Sequence, residues 1–159
     1  MSLSNNQKEQ IENRILKTLQ NIILLQRHKK SLLKIRFDVL EYSSDIFHYC
    51  VMSASLGLSF IGIEQKGIVS SSKLIILKNG DFLVDPSFEE EKLSDSSLQL
   101  SCIVDTEEVV SYYQNGFLGS DLSDNNGNEN KIMNEKFSRV VGIGISVCKA
   151  YNDYMMRII

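Results

Sequence analysis

Apolar residues fall at spacings of three and four from the start of the chain. Ile11, Ile15, Leu16, Leu19, Ile22 and Ile23 line one face, so the pattern predicts an amphipathic helix over 5–25, with Asn5 or Asn6 as its cap. A basic connector follows, QRHKKS at 26–31. Leu33, Ile35, Phe37 and Val39 then alternate with Lys34, Arg36, Asp38 and Leu40, which predicts the clearest strand in the chain. YSSD at 42–45 reads as a turn, with Ser44 or Asp45 capping the next helix. Residues 46–61, IFHYCVMSASLGLSFI, are apolar over a helix-compatible length and predict a buried helix. Its small residues Ser53, Ala54, Ser55 and Gly57 would let it lie close to a sheet. Gly62 and Gly67 bracket a short connector.

β segments are then expected at about 67–71, 73–78, 81–84, 98–104 and 108–114, with Asn79-Gly80 as a tight turn and Asp105 to Glu108 as another. Residues 118–131, LGSDLSDNNGNENK, are polar and without period, and predict a flexible loop. A long helix is expected over 132–158 on a stripe that includes Val140, Val141, Ile145, Cys148, Tyr151 and Met155. Gly142 and Gly144 weaken this helix but permit close contact with a sheet. Helix, strand, helix, several antiparallel strands, then helix is the order of an α+β domain, with the helices expected on one face of a mixed or antiparallel sheet.

At 159 residues the chain is a single domain's worth, read as 1–159 without an internal linker. The net charge of −3 argues against a protein that grips nucleic acid unaided, but not against a subunit whose partners supply the basic surface. Cys50, Cys102 and Cys148 form no CxxC pair. They lie in apolar sequence, as reduced thiols buried like small hydrophobes do. The polar start of the chain is not a secretory signal, and no apolar run is long enough to span a bilayer.

Three stretches carry a resemblance to a known family. ILKTLQNIILLQRHKKSLLKIRFDVLEY is similar to a family helix followed by an extended strand ending in Val-Leu-Glu. VMSASLGLSFIGI resembles a helix rich in Ala-Ser-Leu-Ala-Leu that ends in Ala-Gly-Ile. LVDPSFEEE resembles an Asp-x-x-x-x-Glu-Glu segment. In order and spacing these resemble the C-terminal two-thirds of the RNase PH fold, and more narrowly the RNase PH-like ring subunits of the eukaryotic RNA exosome, of the mRNA-transport-regulator type. The resemblance implies a ribosomal protein S5 domain 2-like α+β fold whose opening β-rich segment is absent here. A truncated gene, an expressed fragment and a reduced paralogue would each give such a chain. An open sheet edge and poor solubility alone are the expected consequences.

The resemblance also implies where phosphorolytic chemistry would sit, and the residues there depart from it. Active members carry Asp-Gly-Gly-Thr-Arg before the buried helix, where the glycines let backbone N–H groups approach phosphate. Here Ser43, Ser44 and Asp45, followed by Ile46 and Phe47, hold those places. Asp85 stands where the strand-terminal family carboxylate would be, Glu91 closes the acidic segment, and Ser97 falls where a further Asp is wanted. Serine neither carries a charge for a hard cation nor acts as a strong acid. The expectation is a noncatalytic subunit with no metal and no cofactor. It would pair with other RNase PH-like ring subunits and S1/KH cap subunits. It would meet RNA through the ring channel, in nucleus, nucleolus and cytoplasm, in rRNA processing and mRNA turnover. The alternatives are a stand-alone α+β interaction domain and an active phosphorolytic exoribonuclease.

Several residues keep two readings. Glu89, Glu90 and Glu91 are a metal candidate or a solvated acidic turn after Pro86. Asp85 is a surviving carboxylate or a cap for that turn. Arg27, His28, Lys29 and Lys30 are an RNA-phosphate patch or an exposed loop. His48 is a ligand or a satisfied core histidine. Tyr112 and Tyr113 stack on a base or pack inward.

Overall fold

The computed structural model describes residues 4–41, 45–116 and 129–157. Helix α1 spans Asn5–Ile22. Ser4 caps it rather than Asn5 or Asn6: its side chain accepts from the Gln7 N–H, and the Gln7 side chain returns to the Ser4 N–H in a capping box. The helix stops at Ile22 because Ile23 turns to extended backbone and bridges to Gln65. A 3-10 turn, Leu25–His28, follows.

The chain at 32–41 joins no ladder among the described residues, contrary to the strand expected there. Its alternation still operates. Ile35 and Phe37 pack on the core, whereas Leu32 and Leu40 are almost fully exposed. Alternation fixes which side chains turn inward; a strand also needs a partner backbone.

Helix α2 spans Phe47–Phe60. It was expected to be buried, and only one face is. Phe47, Cys50, Val51, Ala54 and Leu58 enter the core, while Tyr49, Ser53, Gly57 and Phe60 are exposed. Of the small residues, Ala54 and Ser55 face inward, and Ser55 Oγ accepts the Val69 N–H at 2.8 Å.

Four antiparallel strands make one sheet in the order β2-β1-β3-β4: β1 Val69–Leu77, β2 Phe82–Val84, β3 Ser94–Ile103 and β4 Glu108–Gly116. The two segments expected at 67–71 and 73–78 are one strand, paired without a break from Val69↔Ile103 to Ile76↔Ser96. The Asn79-Gly80 turn holds as read, with Gly80 at φ +84 and the Asn79 side chain accepting the Asp81 N–H.

Helix α4 spans Glu129–Met155, starting inside the loop expected to run to 131; residues 118–128 of that loop lie outside the described residues. Helices cover both faces of the sheet, not one. Val69 and Ile103 join the α1/α2 core, while Leu74, Leu98 and Val140 form a separate cluster under α4. Gly144 makes the close approach: a Cβ there would lie 3.2 Å from Leu74 and Leu100 methyls, and its carbonyl accepts from Ser72. Gly142 faces open space.

Candidate functional site

Polar side chains line the face of the sheet that looks toward α1 and α2. Lys73, Ser97, Gln99 and Ser101 alternate with the apolar residues beneath α4. Lys73 is buried in the middle of β1, and its Nζ lies 2.7 Å from Glu91 Oε1. Glu91 ends the short helix α3, Phe88–Glu91. The acids of this helix are not a free cluster. Glu90 closes a capping box on Ser87, which holds its carboxyl below the usual range; Glu89 pairs with Lys92; Glu91 pairs with Lys73. Ser87, not Asp85, supplies the cap.

Asp85 stands just past β2 with φ +51, in the left-handed region that only a few non-glycine residues enter. Its Oδ1 accepts the Tyr49 hydroxyl at 2.6 Å and lies 3.4 Å from His48 Nε2. His48 is 1% exposed, and neither ring nitrogen has a hydrogen-bond partner among the described residues. The 3.4 Å separation from Asp85 is a charge contact rather than an aligned hydrogen bond. His48 is therefore a core histidine, but not a satisfied one. Burial pushes its pKa down, against the pull of Asp85 and Asp45. Burial and the bond to Asp85 push the Tyr49 phenol up.

Asp45 begins α2: its Oδ1 accepts the Phe47 N–H at 2.9 Å, and its Oδ2 accepts from the Gln99 amide. Gln99 in turn accepts from Arg14. The Arg14 guanidinium lies between the Phe47 ring at 4.3 Å and the Tyr113 ring at 4.1 Å. Burial lowers its pKa. Ser43 and Ser44 lie outside the described residues. Ser97 lies on β3 opposite Ile75, two residues along the ladder from the Lys73↔Gln99 pair and on the same face.

The structure thus brings together Asp45, His48, Asp85, Glu91 and Ser97, which the sequence scatters over a third of the chain. Sequence reasoning missed Lys73, Arg14 and Gln99. The signal for Lys73 was a lone cation inside SSSKLIIL at an inward strand position. Chemically, each acid faces a donor: Asp45 faces the Gln99 amide, Asp85 faces Tyr49 and His48, and Glu91 faces Lys73. Among the described residues no three His, Cys, Asp or Glu side chains are grouped to hold a metal ion.

The basic connector lies apart from this cluster. Arg27 pairs with Glu64, His28 is half-buried, and Lys29 and Lys30 are exposed. Tyr112 and Tyr113 point to opposite faces: Tyr113 packs on Arg14, and Tyr112 meets the Phe137 ring edge-on at 5.6 Å.

Comparison with known proteins bears out the resemblance. Residues 68–125, from the approach to β1 through β4, match the model of the 3' exoribonuclease family, domain 2. Its fold is RNase PH-like. Among solved structures, rice (Oryza sativa) Rrp46 superposes on this chain with a TM-score of 0.71 at 16% identity, covering 98% of this chain and 67% of that one. A chain of the Archaeoglobus fulgidus exosome with RNA bound to the active site gives 0.61 at 16% identity, covering 97% and 63%. A chain of an archaeal exosome core gives 0.63 at 14% identity, covering 98% and 66%. This chain spans about two thirds of the length of these chains. No curated protein matches it in sequence. The α+β fold, an antiparallel sheet with packed helices, is the one shared with these solved structures.

Proposed function

We propose that the chain is a noncatalytic ring subunit of an RNA exosome, contributing subunit contacts and channel wall rather than bond cleavage. One observation carries the reading: the acids at the positions of family chemistry are held by this chain's own donors. Glu91 is paired to the buried Lys73, Asp85 accepts from Tyr49 beside His48, and Ser97 has no carboxylate. A divalent cation at this place would have to displace an ammonium already 2.7 Å from Glu91. Orthophosphate would meet Asp45, Asp85 and Glu91 together.

The unladdered segment 32–41 supports the ring contact. Its inward residues are seated, and among the described residues its backbone joins no ladder, which leaves room for a strand from a neighbour. For RNA, the reading leaves Lys29 and Lys30 as the exposed cations of the basic connector outside the Arg27–Glu64 pair among the described residues, with His28 half-buried. Cap subunits of S1/KH type and a nuclear and cytoplasmic location belong to the same proposal.

Co-expression with RNase PH-like ring neighbours tests the assembly. A stoichiometric complex on size exclusion, with better solubility than the chain alone, supports the ring reading. A well-behaved monomer that ignores those neighbours favours a stand-alone interaction domain.

A further inference from the structure

Two of the three cysteines meet beneath α4, on the face of the sheet away from the polar cluster. Cys102 near the end of β3 and Cys148 of α4 are both fully buried, in one cluster with Leu100. The two residues pack in the same small cluster between the sheet and α4. Cys148 Sγ lies 3.5 Å from Ser72 Oγ and 3.9 Å from the Leu100 carbonyl. Cys50 belongs to the α1/α2 core across the sheet and cannot reach either. Structural buried thiols need no partner thiol, and free cysteine is usually an isolated small hydrophobe. Here a strand and a helix bury their two thiols in one cluster, within which a covalent link could form.

We propose that Cys102 and Cys148 are a thiol oxidation site, closing to a reversible disulfide with a small hydroperoxide as oxidant and thereby pinning α4 to the sheet. The two sulfurs differ in character. The Cys102 thiol and the nearby serines stabilise a Cys148 thiolate, so its pKa falls, while that of Cys102 rises. Cys148 is therefore the attacking sulfur. Its thiolate attacks one peroxide oxygen, the O–O bond breaks, and the departing hydroxide takes the thiol proton and leaves as water. The resulting sulfenic acid is attacked by Cys102 Sγ; the S–O bond breaks, the Cys102 proton goes to the leaving hydroxide, and a second water departs. Two thiols and one hydroperoxide group give one disulfide. The cover is thin on one side: Lys149, the neighbour of Cys148, pairs at the surface with Glu107 of the β3–β4 turn. Local opening at this end of α4 admits an oxidant of peroxide size.

Trypsin separates the three cysteines into peptides 37–66, 93–131 and 140–149, so the linkage reads out directly. The full chain is treated with hydrogen peroxide, its free thiols are blocked, and it is digested without reductant. The expected product is 93–131 joined to 140–149, lost on adding dithiothreitol, with 37–66 carrying a blocked Cys50. The oxidised protein should show a higher thermal midpoint, reversed by reductant. Cys50→Ala must still form the link, and Cys148→Ser must abolish both link and midpoint shift. Sulfinic acid at Cys148 without a link, a link to 37–66, thiols that stay reduced, or an unchanged midpoint after linkage would each overturn the proposal.

Discussion

Lys73 Nζ lies 2.7 Å from Glu91 Oε1, with the lysine side chain 3% exposed and the glutamate about one-third exposed. A buried ammonium in the centre of β1 thus ties the sheet to α3, at the place where the resemblance puts metal-binding acids. A buried charge persists where its partner and the surrounding hydrogen bonds offset desolvation. The partner here is the acid that would otherwise be offered to a cation.

Lys73→Met keeps the stem and removes the charge. The loss of stability should be on the order of 2 kcal/mol, below the usual range for a broken buried pair because Glu91 can take up water. Urea unfolding monitored by circular dichroism gives the value.

His48 makes the fold acid-sensitive. Its pKa in the native state is pushed below the ordinary value by burial. A depressed native pKa means that the unfolded chain takes up the proton first as pH falls. Stability is therefore fully present above about pH 6.5 and declines below it. The urea midpoint should fall between pH 7.5 and pH 5.5, and His48→Gln should flatten that slope. An unchanged slope would show that Asp85 and Asp45 compensate the proton fully.

Glycine substitutions separate three local situations. Gly116 sits at φ +81, and a Cβ there would lie 2.3 Å from the Asp95 carbonyl oxygen, so Gly116→Ala should cost on the order of 2 kcal/mol or more. Gly142→Ala meets nothing within 4 Å and should stabilise α4 by about 0.8 kcal/mol. Gly144→Ala presses on Leu74 and Leu100 methyl groups, so its helix gain should be largely cancelled. Thermal midpoints rank the three.

Ser97→Asp restores a carboxylate without removing Lys73, Tyr49 or His48. It should not create phosphorolysis; release of nucleoside diphosphates from RNA by this variant alone would mean that Ser97 is the sole obstacle.

Much of the fold was legible because burial imposes period. The stripe of Ile15, Leu19 and Ile22 gave α1, and Asn79-Gly80 gave the β1–β2 turn. What failed was pairing. Residues 33–40 alternate as a strand does, yet alternation carries no information about a partner backbone. The burial of β1 was also hidden, because Ser70, Ser71, Ser72 and Lys73 read as a break when all four are interior. Their polar groups find partners on β3, α3 and α4: Ser71 reaches Ser101, Ser72 reaches Gly144, and Lys73 reaches Glu91. The site was legible as a list of acids and not as a balanced set, since the donors to those acids come from α2, β1 and β3. His48 to Asp85 spans a tertiary contact that no local spacing encodes.

The central claim is that these acids are held by the chain itself and perform no phosphorolysis. The most direct measurement is orthophosphate-dependent release of nucleoside diphosphates from a poly(A)-like RNA, by the chain alone and by its complex with ring neighbours, each compared with Asp85→Asn. The account predicts no release from the chain alone and the same rate from wild-type and variant complexes. Release from the chain that disappears in Asp85→Asn would contradict it.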